Sequence, residues 1–587
     1  MEKRNLALII AAVVIVAAAA CVVVAMNNGD DDEQPHATAF PETVTQESRE
    51  LPSDPDAERA SAQALIDQFT ALAATGTSDE IAQGITDLYS VASAFSEVRA
   101  WATVYYNMDP TTYESAYTSW NEIVSWYVDA MMTAMHEAVG GDNADNVKAA
   151  ITAAGASLTE IESYAPESES VQELRSKETE LTTQYTTVVS TDYTYTYNGR
   201  TWTVDSVDSS TTLTDEQKAE IRAGIYNAKY TDAAEVYVEL VGVRNDLAQA
   251  LGYENYLDYS YSALYGRGYT YSDVSDVLQT TLTSASVFDS LRSAFTDGTF
   301  STKDLDAIST YGQDWNYSTL ESFTETIDGT MSEFVKYMED NGLVYTSGDG
   351  IAGGFTTNLR AEHSAVVYIG YADYTLFTTM VHEMGHAADA ALTVSYGSEC
   401  MDIAEIQSQA LEGLFCLSSS DYIGELSDTY TANFLLNVMY TLYMGSAVTD
   451  LEIWAYTTEA SGTTLTVDAL CEHYAAIQEA TGVVIDTRMD SGLHWASVGH
   501  LFRAPGYYVS YVTSVLNAME IFNTASENWD QGVEMYKYIL YQTIDDGYVN
   551  TVTAVGLSNM LDSDNASKVL ENLKAYVDAL IAAQSPS

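Results

Sequence analysis

The sequence predicts a mainly α protein built as two large lobes, with a small β-hairpin and a short β-sheet. Three observations carry that prediction. Apolar residues recur at spacings of three and four, as in Ala62 to Leu72 and Val124 to Val139, which is the spacing of one helix face. The pattern switches to period two around Asn198-Gly199, a dipeptide that favours a tight type I′ turn. At 587 residues the chain also exceeds what a single compact core accommodates, so two lobes are expected.

Composition narrows the class. An apolar content of 47% argues against a disordered chain. With 85 acidic against 23 basic residues and a net charge of −62, the chain has too few cations to neutralise phosphates, so nucleic-acid binding is excluded. The acidic surface reads as solvation, with weak steering of cationic peptides. Cys400, Cys416 and Cys471 in the body allow at most one disulfide, so no disulfide framework holds the fold.

In chain order, residues 1–26 form an N-terminal membrane anchor or signal segment. The uncharged run 6–26 is long enough to span a bilayer. Lys3 and Arg4 precede it and Asp30, Asp31, Asp32 and Glu33 follow, an asymmetry that keeps the front end in the cytoplasm and the rest outside. An uncleaved single-pass anchor in the cell membrane is expected, with secretion after signal cleavage as the alternative. Residues 27–55 are acidic and hold four of the eight prolines, the composition of a flexible tether. Residues 56–270 make an N-terminal helical lobe and 271–587 a second, catalytic lobe. Within the first, long amphipathic helices run to about residue 185, and the hairpin occupies 192–204. A helix then starts with capping residues at Thr212-Leu-Thr-Asp-Glu, and Ala233 to Leu251 forms another. Further helices reach residue 342. A glycine-rich loop, Thr346-Ser-Gly-Asp-Gly-Ile-Ala-Gly-Gly-Phe, then leads to Ala365-Val-Val-Tyr-Ile, a buried or edge strand. A strand edge at that point could hold an extended peptide by backbone hydrogen bonds.

The chemistry concentrates in 375–392. His382 and His386 lie four apart, so on a helix both imidazoles leave one face, near enough to share a metal ion. Glu383 stands beside the first, where a carboxylate can take a proton from the attacking water and pass it to a leaving amine. Gly385 leaves room for close packing near the metal. A catalytic zinc takes three protein ligands, and three acids are available for the third: Glu405 and Glu412, seven apart on one face of a helix that starts at Met401, and Glu399 in a probable loop.

These residues carry a family resemblance. His382-Glu-Met-Gly-His386, followed by Ile-Ala-Glu405-Ile-Gln-Ser-Gln-Ala-Leu-Glu412, resembles the thimet oligopeptidase and oligoendopeptidase F family of zinc metallopeptidases. Gly353-Gly354-Phe355, Ile369-Gly-Tyr, Leu251-Gly-Tyr-Glu-Asn-Tyr-Leu and His500-Leu-Phe-Arg-Ala-Pro-Gly-Tyr-Tyr-Val-Ser-Tyr511 are similar to it at corresponding positions, so the likeness runs from about 210 to the end. The resemblance implies a two-lobed helical metallopeptidase enclosing a deep channel, with one zinc ion on His382, His386 and Glu405 and with Glu383 as general base. It implies that His500, Tyr508 and Tyr511 stabilise the oxyanion, and that Gly353, Gly354 and Tyr507 bind substrate. His494 competes for the histidine role, and the register leaves Tyr507 against Tyr508 open. Asp389 stands where the family often has histidine and is a candidate to orient a ligand imidazole. The expected substrates are short unstructured peptides cut internally, and the oligomeric state is left open. A binding protein without turnover is the rival, together with a dipeptidase or carboxypeptidase gripping a terminal carboxylate through Arg360 or Arg503.

Overall fold

The computed structural model describes residues 37–584 apart from 38–39, 42, 46–48, 165–167, 306, 309–315, 349, 352, 360–362, 371–374, 394–399, 484–488 and 543–546. The expected anchor at 6–26 lies outside those residues. Among the described residues no helix is long and apolar enough to cross a membrane.

Three long helices open the fold: α1 (Pro55–Thr75), α2 (Ser78–Met108) and α3 (Pro110–Val139). Local chemistry sets their ends. Thr77 and Glu80 cap α2 reciprocally, which satisfies two otherwise orphaned N–H groups. Asp109 closes α2 and caps α3, with Pro110 in the first turn, where its missing N–H costs nothing. Phe69, Ile81, Leu88, Trp120, Tyr127 and Met131 build a core of their own. Further along, α2 contributes Trp101 and Val104 to the larger core formed by the rest of the chain, so this 31-residue helix belongs to both.

Helix α4 (Glu169–Ser190) packs along α5 (Asp215–Ala250), and between them comes the hairpin of β1 (Tyr195–Tyr197) and β2 (Arg200–Trp202). Its turn has positive φ at both Asn198 (51°) and Gly199 (75°), as a type I′ turn requires. Where the periodicity suggests two helices, 215–250 is one helix of 36 residues. Its start is capped by Thr214 and Gln217, and the stretch holds no proline to break it.

The second sheet has β3 (Val344–Ser347), β4 (Gly353–Leu359) and β5 (Ser364–Gly370) in the order β3-β5-β4, with β3 parallel and β4 antiparallel to β5. This corrects two expectations. Strand β5 is the fully buried centre of the sheet, and the stretch read as a glycine loop includes β4, which forms one edge. Glycine disfavours strands on propensity, but the reason for it here lies in what β4 packs against, described below. Tyr368 of β5 donates to the carbonyls of Asn107 and Ile351, both at 2.8 Å, which ties the sheet to the end of α2.

Helix α6 (Thr375–Leu392) covers β5 and packs on α7 (Met401–Ser418). Two further long helices matter for the site, α8 (Ser427–Ala460) and α9 (Val509–Glu527). The cysteines Cys400, Cys416 and Cys471 are free thiols.

Candidate active site

On α6, His382 and His386 stand one turn apart with their Nε2 atoms 3.2 Å from each other. On α7, Glu405 brings Oε2 to 3.6 Å from the first Nε2 and 3.8 Å from the second. The two helices approach this closely because Gly385 has no side chain: a Cβ there would lie 2.6 Å from the Ser408 Cα and 2.9 Å from the Gln407 carbonyl. The three groups fit a tetrahedral divalent cation. Donors at zinc distances of about 2.0–2.1 Å stand roughly 3.3 Å apart, and Glu405 Oε2 is buried with no hydrogen-bond partner, an oxygen whose desolvation a cation would offset. No other set of three such ligands converges among the described residues.

Glu412, two turns beyond Glu405, meets His382 from behind, 2.7 Å from Nδ1, so that Nε2 is the nitrogen left to face a metal. Burial works against a charge on His382, yet Glu412, with Glu405 and Glu383 beyond it, outweighs burial and lifts its pKa to about 9. His386 is pushed the other way, to about 4, by burial and then by the His382 charge. Asp389 does not supply the orienting contact expected of it on His382: its Oδ1 accepts from Gln407 at 3.3 Å. Glu399 and Arg360 lie outside the described residues, and Arg503 is exposed, over the ring of Tyr185.

Glu383 points away from the histidine pair toward β4. Thr356 donates to its Oε2 at 2.7 Å and lies 3.0 Å from its carbonyl oxygen. Burial raises the Glu383 carboxyl pKa, against the pull of His382 and Thr356; a raised pKa suits a group that must both accept and return a proton near neutral pH. Gly354 explains the glycine in this strand. A Cβ there would come within 2.6 Å of Thr379 Cγ2 and 2.8 Å of Glu383 Oε1, so any larger residue would push the strand off the base. Gly353, with φ at 115°, sits in a conformation open to glycine. Thr356 has no motif to announce it; only the period of the strand could have found it.

The C-terminal segment closes the site. His500 packs against Tyr507, Tyr508 and Tyr511 at ring separations of 5.5, 5.1 and 5.9 Å. Tyr507 donates to Glu405 Oε1 at 3.1 Å, which sorts the two adjacent tyrosines: Tyr507 holds the candidate ligand, and Tyr508 is the half-buried neighbour. Burial raises the pKa of all three phenols, that of Tyr508 to about 12, so each stays a neutral donor. Burial lowers the pKa of His500. His494 is buried elsewhere, 3.5 Å from the Tyr474 hydroxyl.

Buried charges hold this segment from behind. Arg244, paired with Glu178 at 2.7 Å, donates to the carbonyls of Leu501 (3.0 Å) and Phe502 (2.6 Å). Glu452 accepts from the Gly506 N–H at 2.9 Å. Arg267 pairs with Asp402 at 3.0 Å and donates to Ser510 Oγ at 2.7 Å. Since Asp402 precedes Glu405 by one turn and Ser510 lies between Tyr508 and Tyr511, one guanidinium fixes the relative position of the third candidate ligand and the tyrosines. Sequence reasoning missed these groups. The only signal was an arginine set between glycines and tyrosines at Leu264-Tyr-Gly-Arg-Gly-Tyr.

No protein-family model matches the chain, and no curated protein matches it. Solved structures do. PZ peptidase A with an inhibitor superposes with a TM-score of 0.65 at 17% identity, covering 90% of this chain and 98% of that one. A candidate oligoendopeptidase F gives 0.64 at 17% identity, with 90% and 97% covered. Oligoendopeptidase-F from Enterococcus faecium gives 0.56 at 13% identity, with 90% and 99% covered. The chain shares their fold over nearly its whole length.

Proposed function

We propose that this chain is a zinc-dependent oligopeptidase that hydrolyses internal bonds of short unstructured peptides outside the cytoplasm. The observation that carries the reading is the convergence of His382, His386 and the partnerless Glu405 oxygen beside a Glu383 held by an edge strand. The likeness to structures named as peptidases supports it, as does the charge-flanked apolar run 6–26 for the location.

A zinc ion on His382, His386 and Glu405 would supply Lewis acidity at the scissile carbonyl and acidify the attacking water. The chain's own residues do the rest. Glu383 takes the water's proton on its carboxylate and returns it to the leaving nitrogen. Thr356 holds that carboxylate in place. Tyr508 and Tyr511, neutral at any physiological pH, offer O–H donors to the oxyanion, with His500 packed among them. Strand β4 offers an edge along which an extended peptide can pair, with Gly354 allowing its backbone to run close to the base.

The test is hydrolysis of a pool of short peptides by the purified chain and by Glu383→Gln, with products mapped by mass spectrometry and metal content measured for both. Internal cleavage falling by about 10²-fold or more in the variant, at equal zinc, is the expected result. Bound zinc without cleavage by either would point to a binding protein; release of single residues or dipeptides from one end would point to an exopeptidase.

A further inference from the structure

Beside the histidines lies a cavity of about 340 Å³ that the chemistry above does not use. This is roughly twice the ~150 Å³ that holds a benzene ring in an engineered apolar cavity. Helix α6 gives one wall through Thr378, Thr379 and His382. Helix α8 gives the opposite wall through Phe434, Val438 and Thr441, and Val515 and Met519 of α9 lie between them. Thr379 is the hinge of the argument. It lines the cavity and also meets Gly354 of β4, so a peptide paired along β4 with its scissile bond at Glu383 has the cavity within reach of a neighbouring side chain.

The lining selects the chemistry of that side chain. It contains no Lys or Arg, and its one carboxylate, Glu412, is already engaged by His382 at 2.7 Å. An acidic side chain would meet like charge and an ammonium would be desolvated without a free partner. Gln409 also lines the cavity, and its Oε1 is buried with no hydrogen-bond partner among the described residues, an arrangement that costs free energy unless a ligand donor reaches it.

We propose that this cavity is a specificity pocket for a large aromatic side chain next to the scissile bond, tryptophan foremost, with the indole N–H donating to Gln409 Oε1. The assignment rests on the peptidase reading. An aromatic ring fills the apolar space between α6 and α8, and the N–H satisfies the one acceptor left open in the wall.

The experiment has two arms. In the first, matched quenched-fluorescence peptides carrying Trp, Phe, Ala, Lys or Glu at one position on either side of the cleaved bond are compared by kcat/KM. Trp should exceed Ala by about tenfold or more and exceed Phe by about three- to tenfold, the range of one neutral hydrogen bond. Lys and Glu should fall to the level of Ala or below. Gln409→Leu should abolish the Trp-over-Phe ratio, and Thr441→Trp, which fills the cavity from the half-buried face of α8, should abolish the Trp-over-Ala ratio. In the second arm, binding of fluorescein-labelled Trp and Ala peptides to Glu383→Gln is read by anisotropy, with and without Thr441→Trp. Selective loss of the Trp peptide's affinity supports the pocket. Equal cleavage of all five peptides, a preference for Lys or Glu, or equal binding in the second arm overturns it. Trp-selective binding with no cleavage of any peptide by the wild-type chain would sink the peptidase reading and leave the pocket standing.

Discussion

Glu412 sits 2.7 Å from His382 Nδ1, and a carboxylate in that position fixes the tautomer and orientation of a ligand imidazole. Glu412→Gln should weaken zinc binding by about 10- to 100-fold, read by competition with a chromogenic chelator, while Asp389→Asn should change it far less because Asp389 faces Gln407. The contrast between these two acids shows what is legible at this scale. The spacing of His382, Glu383 and His386 follows from helix geometry and can be read directly. The roles of Glu405 and Glu412, seven residues apart on one helix face, are separated only by where α7 lies against α6: one turn faces the Nε2 atoms and the turn two further on faces Nδ1. Thr356 was invisible for a related reason, since nothing in a strand of glycines and threonines says which hydroxyl meets a base on another element.

Elements were legible where their cause is local. The Asn198-Gly199 turn and the Thr214 cap depend on a few adjacent residues, and both stand where the sequence puts them. Strand β4 was read as loop because its glycines answer to a tertiary contact, Thr379 and Glu383, that propensity does not contain. The pairing of α6 with α7 depends on a glycine in the same way. Gly385→Ala should destabilise the fold by about 1–3 kcal/mol, the usual cost of overpacking, because the clash is with the backbone of Ser408 and Gln407. Gly242→Ala in α5 should do the opposite. Its new Cβ would meet nothing nearer than Glu459 Oε1 at 3.8 Å, so the helix gains about 0.5–1 kcal/mol. Urea unfolding of the two variants separates the cases by sign.

Over the whole molecule the net charge of −62 is a repulsion that the fold must outweigh. The midpoint of thermal unfolding should therefore rise as salt is raised from about 0.05 to 1 M, as the screening length shrinks to about 3 Å; a fall would mean that surface ion pairs dominate instead. The buried pairs Arg244–Glu178 and Arg267–Asp402 are shielded from that screening, and in a chain with 23 cations it is telling that two of them are wholly interior. The likeness seen in sequence began near residue 210, whereas the structural likeness covers 90% of the chain, because packing of α1 to α3 tolerates any apolar set of suitable volume while metal chemistry does not. Helix α2 makes this difference matter. Its Ile81 and Leu88 lie in one core, its Trp101 and Val104 in the other, and its Asn107 carbonyl receives Tyr368 from the centre of the sheet. The hydrolytic machinery is thus not a portable module: a truncation that kept only the recognisable portion would strip a wall from the catalytic core and leave the sheet without its anchor, so the least recognisable third of the chain is inherited with the rest as one indivisible piece.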